Sequence, residues 1–159
     1  MAVVGPDTRP VILYVEDDAD TFRLTSLRLK DKYRLVHAAN DREACAQLTV
    51  LGPQLYAVLM DVELQGSRLD GLQLVRLVRG QLPPAQVPDY ARSVPKLANT
   101  PVIVMTAYVE RYTEADAHAL GATHFVKKPI DFTRLNLALA QANIHSVMAR
   151  LTARPSSAR

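Results

Sequence analysis

Residue types that could together bind a metal ion and a phosphoryl group stand where short apolar runs of this sequence end. The first run leads into Glu16-Asp17-Asp18, a later run leads into Asp61, and two further runs lead into Thr106 and Lys128. A single acid at such a place is about as often a helix cap as a ligand. It is much less common by chance that successive runs end in acids, an acid, a hydroxyl and an ammonium than that one run ends in an acid. We therefore treat these residues as one candidate site.

The chemistry that such a set could perform is phosphoryl transfer to a carboxylate. Crowded carboxylates repel each other unless a cation neutralises them, and Mg²⁺ suits one or two carboxylates plus water and phosphate oxygens. One carboxylate could then attack phosphorus and form an aspartyl phosphate. A lysine ammonium and a threonine hydroxyl could compensate part of the phosphoryl charge. A glycosidase-like pair of acids would leave Thr106 and Lys128 without a role.

The elements that must position these residues are predicted to be five short parallel strands. Their apolar character is continuous rather than alternating, which is typical of parallel strands covered on both faces. The predicted strands are Val11–Val15, Tyr33–His37 (the weakest), Tyr56–Met60, Val102–Met105 and His124–Lys127. Segments of helical period follow each strand, and the last is predicted to run from an N-cap near Asp131 to about Leu151. This alternation predicts an α/β fold: a doubly wound five-stranded parallel sheet flanked by five helices, with ligands at the carboxyl ends of the strands.

One domain is predicted over residues 9–151, with flexible termini at 1–8 and 152–159. Residues 80–101 contain five prolines and little helical period, so we interpret them as a Pro-rich loop insertion within that domain. A spacer loop and a partner-docking loop both remain possible interpretations of the insertion.

Composition limits the classes of protein that remain. The chain has 159 residues, 48% of them hydrophobic and 22% charged, which is enough for one real core. Cys45 is the single cysteine, so we expect a packed residue in a reducing compartment. The start resembles no signal peptide, no apolar run is long enough to span a bilayer, and the basic residues behind the net charge of +3 are scattered. We therefore expect a cytoplasmic protein that binds neither membrane nor nucleic acid.

Five segments of the sequence resemble the signature segments of response-regulator receiver domains, and the resemblance covers about residues 9–145. They are Val-Ile-Leu-Tyr-Val-Glu-Asp-Asp, Val-Leu-Met-Asp-Val, Asp-Gly at 70–71, Pro-Val-Ile-Val-Met-Thr-Ala, and Gly-Ala-Thr-His-Phe-Val-Lys-Lys-Pro. The resemblance implies a flavodoxin-like sheet with strand order 2-1-3-4-5. It also implies a two-component signalling protein similar to single-domain chemotaxis regulators.

The resemblance assigns a role to each candidate metal residue. Asp61 would be the phosphoacceptor and a ligand of Mg²⁺. Asp17 would bind the metal directly, and Glu16 would act through water. Glu63 would lend its backbone carbonyl to the same ion.

The resemblance also implies a conformational switch. Thr106 and Lys128 match the switch hydroxyl and the lysine of the family, and Phe125 matches its aromatic rotamer switch. Lys127 has no such role, because the proline follows Lys128. A cis Lys128–Pro129 bond is typical of the family, and a bond that precedes proline is where the cis form is cheapest.

Two features depart from the family pattern. The segment between Asp61 and Gly71 is longer than usual and lacks the proline of the usual Met-Pro loop. The Pro-rich insertion before the fourth strand is also unusual.

The function that we predict is a switch that accepts a phosphoryl group on Asp61 from a histidine kinase or a phosphotransfer protein. We expect no enzyme activity beyond self-catalysed phosphotransfer and dephosphorylation. We predict no output domain after residue 151 and therefore expect either output through protein–protein contact with an unknown output protein, or a chain that is a fragment of a larger protein. The alternatives are a phosphorylation-independent pseudo-receiver scaffold and a metal-dependent phosphohydrolase, for which a cap domain would find no room.

The last predicted helix suggests self-association. Residues 135–149 contain no Asp, Glu, Lys or Arg. Leu135, Leu139, Ala142 and Ile144 can face the sheet, but Leu137, Val147, Met148 and Leu151 are then left over. We predict a homodimer through residues 135–151, the alternative being that the 80–101 insertion covers this face.

Overall fold

The computed structural model describes residues 5–152, in which five parallel strands form one sheet with the order β2-β1-β3-β4-β5. The strands are β1 (Val11–Val15), β2 (Arg34–Ala38), β3 (Ala57–Asp61), β4 (Val102–Thr106) and β5 (His124–Lys127). The predicted fold class and strand order are confirmed. The main difference is that β3 and β4 extend one residue further than predicted, so that Asp61 and Thr106 are the last residues of their strands.

Five helices flank the sheet: α1 (Ala19–Leu29), α2 (Asp41–Leu51), α3 (Gly71–Val78), α4 (Glu114–Ala119) and α5 (Phe132–Thr152). Local capping explains where they begin. Asp18, Asn40 and Thr113 cap α1, α2 and α4, and Asp70 forms a reciprocal capping box with Gln73 at α3. Asp131 accepts hydrogen bonds from the backbone of Thr133 and Arg134, as the predicted N-cap of α5.

The core has one layer on each face of the sheet. Successive residues of β1 alternate between the layers: Leu13 packs into the layer that holds α2 and α3, and Tyr14 packs into the layer that holds α1 and α5. Every residue of β3 and β4 is buried, which explains why their sequences are apolar without alternation. Packing on both faces therefore fixes the central strands, and this packing also fixes the positions of their ends.

The Pro-rich segment 80–101 is ordered against the α2–α3 side of the molecule. It contains two short 3-10 helices, Pro84–Gln86 and Asp89–Ala91, and buries Leu82, Ala91 and Leu97 in the core layer of α2 and α3. The interpretation that it covers α5 is therefore wrong, because α5 packs into the opposite layer.

Helix α5 buries one stripe and exposes another. Leu135, Leu139 and Ala142 are buried, as predicted, whereas Ile144 is exposed and not on the sheet side. The residues predicted to be left over are exposed as well: Leu137, Val147, Met148 and Leu151. None of the helices among residues 5–152 is long and apolar enough to cross a membrane. Of the predicted flexible termini, residues 1–4 and 153–159 lie outside the described residues.

Candidate functional site

The predicted site residues meet at the carboxyl edge of the sheet. A cleft of about 480 Å³ opens there, lined among others by Glu16, Asp17, Asp61, Glu63 and Lys128. They come from the ends of three strands, β1, β3 and β5, or from the loops after them, and the parallel sheet brings these ends to one edge. Five of the candidate residues are therefore neighbours in space although they span more than 110 positions of sequence.

Three of these residues form an acidic cluster. One carboxylate oxygen from each of Glu16, Asp17 and Asp61 lies within 4.8 Å of the others. Glu16 and Asp61 are buried, and Asp17 is half-buried at the mouth of the cleft. A cluster of hard oxygen donors with one accessible side fits Mg²⁺, which keeps some of its water when it binds protein.

Lys128 supplies the single ammonium that touches this cluster among the described residues. Its Nζ donates a hydrogen bond to Oε2 of Glu16 at 2.8 Å and lies 3.3 Å from Oδ2 of Asp61. Lys127 is exposed and does not line the cleft. One positive charge against three carboxylates leaves the cleft with an excess of negative charge.

Crowding changes the protonation of Asp61. Burial and the charge of Glu16 raise the pKa of Asp61 to about 7, although the Lys128 ammonium opposes the shift. Burial alone would lower the pKa of Lys128, but its bonds to Glu16 and Asp61 outweigh burial and raise that pKa. Lys128 is therefore a permanent cation, whereas ionised Asp61 is disfavoured without a further cation.

The residues predicted to form a switch are separated in the structure. Thr106 is buried, its backbone carbonyl accepts a hydrogen bond from Lys128 N at 2.8 Å, and its Oγ1 accepts one from Tyr108 N at 2.9 Å. Phe125 does not reach the cleft. It is half-buried beside a surface depression shared with Leu137 and Arg134 of α5. Thr106 therefore lies beneath the cleft without lining it, and the ring of Phe125 lies at the surface on the neighbouring strand β5. The Lys128–Pro129 bond is cis, as expected from the resemblance.

The loop between β3 and α3 is fixed tightly against the end of β3. A Cβ on Gly71 would lie 2.0 Å from the backbone oxygen of Asp61, so only glycine permits this approach. Gln65 N donates to Oδ2 of Asp17 at 3.0 Å. The carboxylate of Glu63 is 3.9 Å from the guanidinium of Arg111, an exposed and therefore weak ion pair.

Sequence reasoning did not identify Gln65 or Arg111 as neighbours of the site. Gln65 contributes a backbone N–H, which any residue except proline possesses, so its side chain carries no signal. Arg111 lies in the loop after β4, and a lone exposed arginine in a loop is usually only solvated.

Comparison with known proteins gives one consistent family. The chain matches the response regulator receiver domain family over residues 12–140. It is 30% identical over 125 residues to the nitrogen assimilation regulatory protein NtrX of Azorhizobium caulinodans, covering 78% of this chain and 24% of that protein. It is 30% identical over 132 residues to the regulatory protein AtoC of Escherichia coli, covering 82% of this chain and 24% of that protein. The chain thus spans about a quarter of the length of these relatives.

Solved structures agree with this assignment. The receiver domain of NtrX from Brucella abortus superposes with a TM-score of 0.66 at 28% identity, over 84% of this chain and 98% of that chain. A longer structure of NtrX from the same organism gives a TM-score of 0.71 at 27% identity, over 91% of this chain and 29% of that chain.

The geometry predicts that the carboxylate of Asp61 destabilises the protein when no divalent cation is present. Because the folded state raises the pKa of Asp61, its ionised form is disfavoured by folding, and the penalty develops as pH rises from 3.8 to about 7. With EDTA at pH 8, Asp61→Asn should therefore raise the free energy of unfolding by about 1 kcal/mol or more, and the gain should shrink toward pH 5. Urea denaturation at both pH values measures it.

Glu110→Gln is the matched control, because it removes an exposed carboxylate outside the cluster. It should change the free energy of unfolding by less than about 0.5 kcal/mol. An Asp61→Asn protein that is no more stable than wild type at pH 8 would contradict the crowding argument.

Proposed function

Because this chain belongs to the response regulator receiver domain family, we propose that it accepts a phosphoryl group on Asp61 and transmits the signal by protein–protein contact. The donor is a histidine kinase or a phosphotransfer protein. The observation that carries the proposal is the position of Asp61, which ends the central strand within 3.3 Å of Lys128 and within 4.8 Å of two further carboxylates.

Mg²⁺ is the cofactor that the cluster fits. Asp17 and Asp61 would bind it directly, Glu63 would offer its backbone carbonyl, and Glu16 would act through water because Lys128 already holds one of its oxygens. When bound, the ion supplies the positive charge that the cluster lacks and allows an anionic donor to approach.

The residues of the chain divide the reaction between them. A carboxylate oxygen of Asp61 forms a bond to phosphorus while the bond from phosphorus to the donor imidazole breaks, and the imidazole leaves with its electron pair. The ammonium of Lys128, already beside Asp61, stabilises the charge that spreads over the phosphoryl oxygens.

Signal output follows from the added negative charge. Thr106 Oγ1 is bonded to the backbone of Tyr108, and a hydroxyl that turns toward the phosphoryl group must give up that bond. The loop after β4 would then shift, and Phe125 could take the space that Thr106 vacates. The surface formed by α4, β5 and α5 would change its shape, which an output protein can read.

The two alternatives make different predictions for the same site. A pseudo-receiver scaffold has no need of a lysine and three carboxylates in mutual contact, and a phosphohydrolase would turn over an external phosphoester. Labelling by a small phosphodonor separates the proposal from the first alternative, and a turnover assay separates it from the second.

We expect acetyl phosphate with Mg²⁺ to add one phosphoryl group to the wild type. The label should be absent in Asp61→Asn, because the amide is not a nucleophile toward phosphorus. Asp18→Asn is the matched control: this acid lines the same cleft, and asparagine retains its capping of α1. Intact-mass measurement detects the phosphoryl group. Labelling that persists in Asp61→Asn would overturn the assignment, and a wild type that is never labelled would favour the scaffold.

Substitutions of Asp17 and of Lys128 should impair different properties of the site. Asp17→Ala removes a charge and a ligand, so we expect calorimetry to show Mg²⁺ binding weakened by about tenfold or more. Lys128→Ala should change Mg²⁺ affinity by less than about threefold but abolish the phosphorylation-dependent change in hydrogen exchange of β5. An equal loss of Mg²⁺ affinity in both variants would contradict this division of roles.

Helix α5 supports a further part of the proposal, a homodimer. Its outer side exposes Leu137, Ile144, Val147, Met148 and Leu151, and the insertion packs on the other face of the sheet. Since residues 135–149 carry no Asp, Glu, Lys or Arg, a second copy could bring the same face into contact without burying such a charge.

Sedimentation tests the dimer. We expect wild type to dimerise in a concentration-dependent way, and Val147→Asp with Leu151→Asp to remain monomeric because both charges would be buried at the interface. Leu24→Asp with Leu27→Asp is the matched control, since these α1 residues are equally exposed but lie elsewhere. A wild type that stays monomeric at high concentration, with and without a phosphoryl mimic, would end this proposal.

A further inference from the structure

The Pro-rich insertion meets the loop beside the acceptor through one buried carboxylate, that of Asp41. Asp41 is the first residue of α2 and is only 2% exposed. Its Oδ2 accepts hydrogen bonds from the backbone N–H groups of Arg68 at 3.2 Å and Leu69 at 3.0 Å, and from the hydroxyl of Tyr90. The three donors come from two segments, the β3–α3 loop and the insertion.

The β3–α3 loop is held by two carboxylates. In its first half, Gln65 N donates to Asp17 in the cleft. Near its end, Asp41 accepts from Arg68 and Leu69, and Asp41 N donates in return to Ser67 Oγ at 3.0 Å. This loop carries Glu63, so its position decides where the Glu63 carbonyl lies relative to the acidic cluster.

The anchor at Asp41 depends on hydrogen bonds alone. In the described part of the chain no cation pairs with this carboxylate, and a buried charge is tolerated only where donors replace the lost water. Burial raises the pKa of Asp41, but the bonds from Tyr90 and from the backbone outweigh burial and lower it. The carboxylate therefore remains ionised, and the Tyr90 hydroxyl is one of few donors that keep it so.

Tyr90 is itself fixed by the packing of the insertion. It lies in the 3-10 helix Asp89–Ala91, whose Ala91 is buried, and the guanidinium of Arg42 lies 4.4 Å from the centre of its ring. Burial, and then the bond to Asp41, raise the pKa of Tyr90 to about 12, so the hydroxyl stays protonated and can donate. The contact between Tyr90 and Asp41 is therefore held by packing on the Tyr90 side and by hydrogen bonds on the Asp41 side.

We propose that Tyr90, acting through Asp41, is a positioning residue of the phosphoacceptor site: the insertion fixes the β3–α3 loop and thereby sets the affinity of the site for Mg²⁺. The inference rests on the proposed function, in which Glu63 offers its carbonyl to that ion. It also accounts for the departure of this loop from the family pattern. A loop that lacks the usual proline and contains Gly66 at φ 76° has little stiffness of its own, and Asp41 with Tyr90 provides the restraint from outside.

The test removes one oxygen atom. In Tyr90→Phe the ring remains against Arg42, while Asp41 loses its hydroxyl donor. We expect the dissociation constant for Mg²⁺, measured by calorimetry on the unphosphorylated protein, to rise about three- to tenfold. The reason is that part of the free energy of one charge-assisted hydrogen bond stabilises the loop conformation that binds the ion. The amide NMR signals of Arg68 and Leu69 should shift in the same variant.

Tyr56→Phe is the matched control. Tyr56 also donates its hydroxyl to a buried partner, the backbone oxygen of Leu139 at 2.7 Å, but it does so from the residue before β3 to α5, away from the β3–α3 loop. Both variants should lose stability toward urea, whereas the Mg²⁺ dissociation constant of Tyr56→Phe should remain within about twofold of wild type. Asp41→Asn provides a second variant in which the Mg²⁺ constant should rise at least as much as in Tyr90→Phe.

Labelling by acetyl phosphate separates positioning from chemistry. In Tyr90→Phe the Mg²⁺ concentration for half-maximal labelling should rise by the same factor as the dissociation constant, while the rate at saturating Mg²⁺ stays within about twofold. A wild type that binds Mg²⁺ but is not labelled would contradict the proposed function. The positioning role would then be decided by calorimetry alone, from the Mg²⁺ dissociation constants of wild type and Tyr90→Phe. A labelled wild type whose Mg²⁺ constant is unchanged by Tyr90→Phe would overturn the positioning role.

Discussion

The repulsion among Glu16, Asp17 and Asp61 is the constraint on which the rest of the site depends. Three carboxylates share a space of 4.8 Å at a largely buried edge, and one ammonium, that of Lys128, faces them. At this separation and burial, like charges raise the cost of ionisation by far more than they would in water. The folded protein therefore holds a site that is short of positive charge. Below the raised pKa of Asp61 a proton relieves this shortage; above it a ligand that brings positive charge is needed, and a phosphoryl donor alone would aggravate the shortage.

A stiff scaffold is needed to hold such a cluster together, and the central strands provide it. Residues of β3 and β4 are buried on both faces, so neither strand can slide or twist to separate the acids without opening the core. Gly71 adds a second restraint, because the start of α3 approaches the backbone of Asp61 more closely than any side chain would allow. Packing that lies well away from the charges thus offsets the free energy cost of holding the three carboxylates together.

The sequence predicts the fold and the cluster well for the same physical reason. Continuous apolar runs mark strands buried on both faces, and parallel strands bring their carboxyl ends to one edge, so the residue types at the run ends already describe the site. The sequence leaves a position open where it is decided by a backbone group or by a choice between two apolar faces. The residue type at position 65 does not reveal that the Gln65 N–H binds Asp17. The sequence also does not show that the insertion packs on α2 and α3 and not on α5. Ile144 belongs to the same class, since helical spacing alone did not show whether it lies on the buried or the exposed stripe.

The two carboxylates that hold the β3–α3 loop differ in a way that makes their roles unequal. Asp17 faces the cleft, so a cation that takes its oxygens competes with the hydrogen bond from Gln65. Asp41 is buried and faces Arg68, Leu69 and Tyr90, where no such competition arises. A cation in the cleft would therefore disturb the bond at Gln65 and leave the bonds at Arg68 and Leu69 in place. Through Tyr90 and Asp41 the insertion is thus joined to the part of the loop that such a cation does not reach, although none of the insertion's residues lines the cleft.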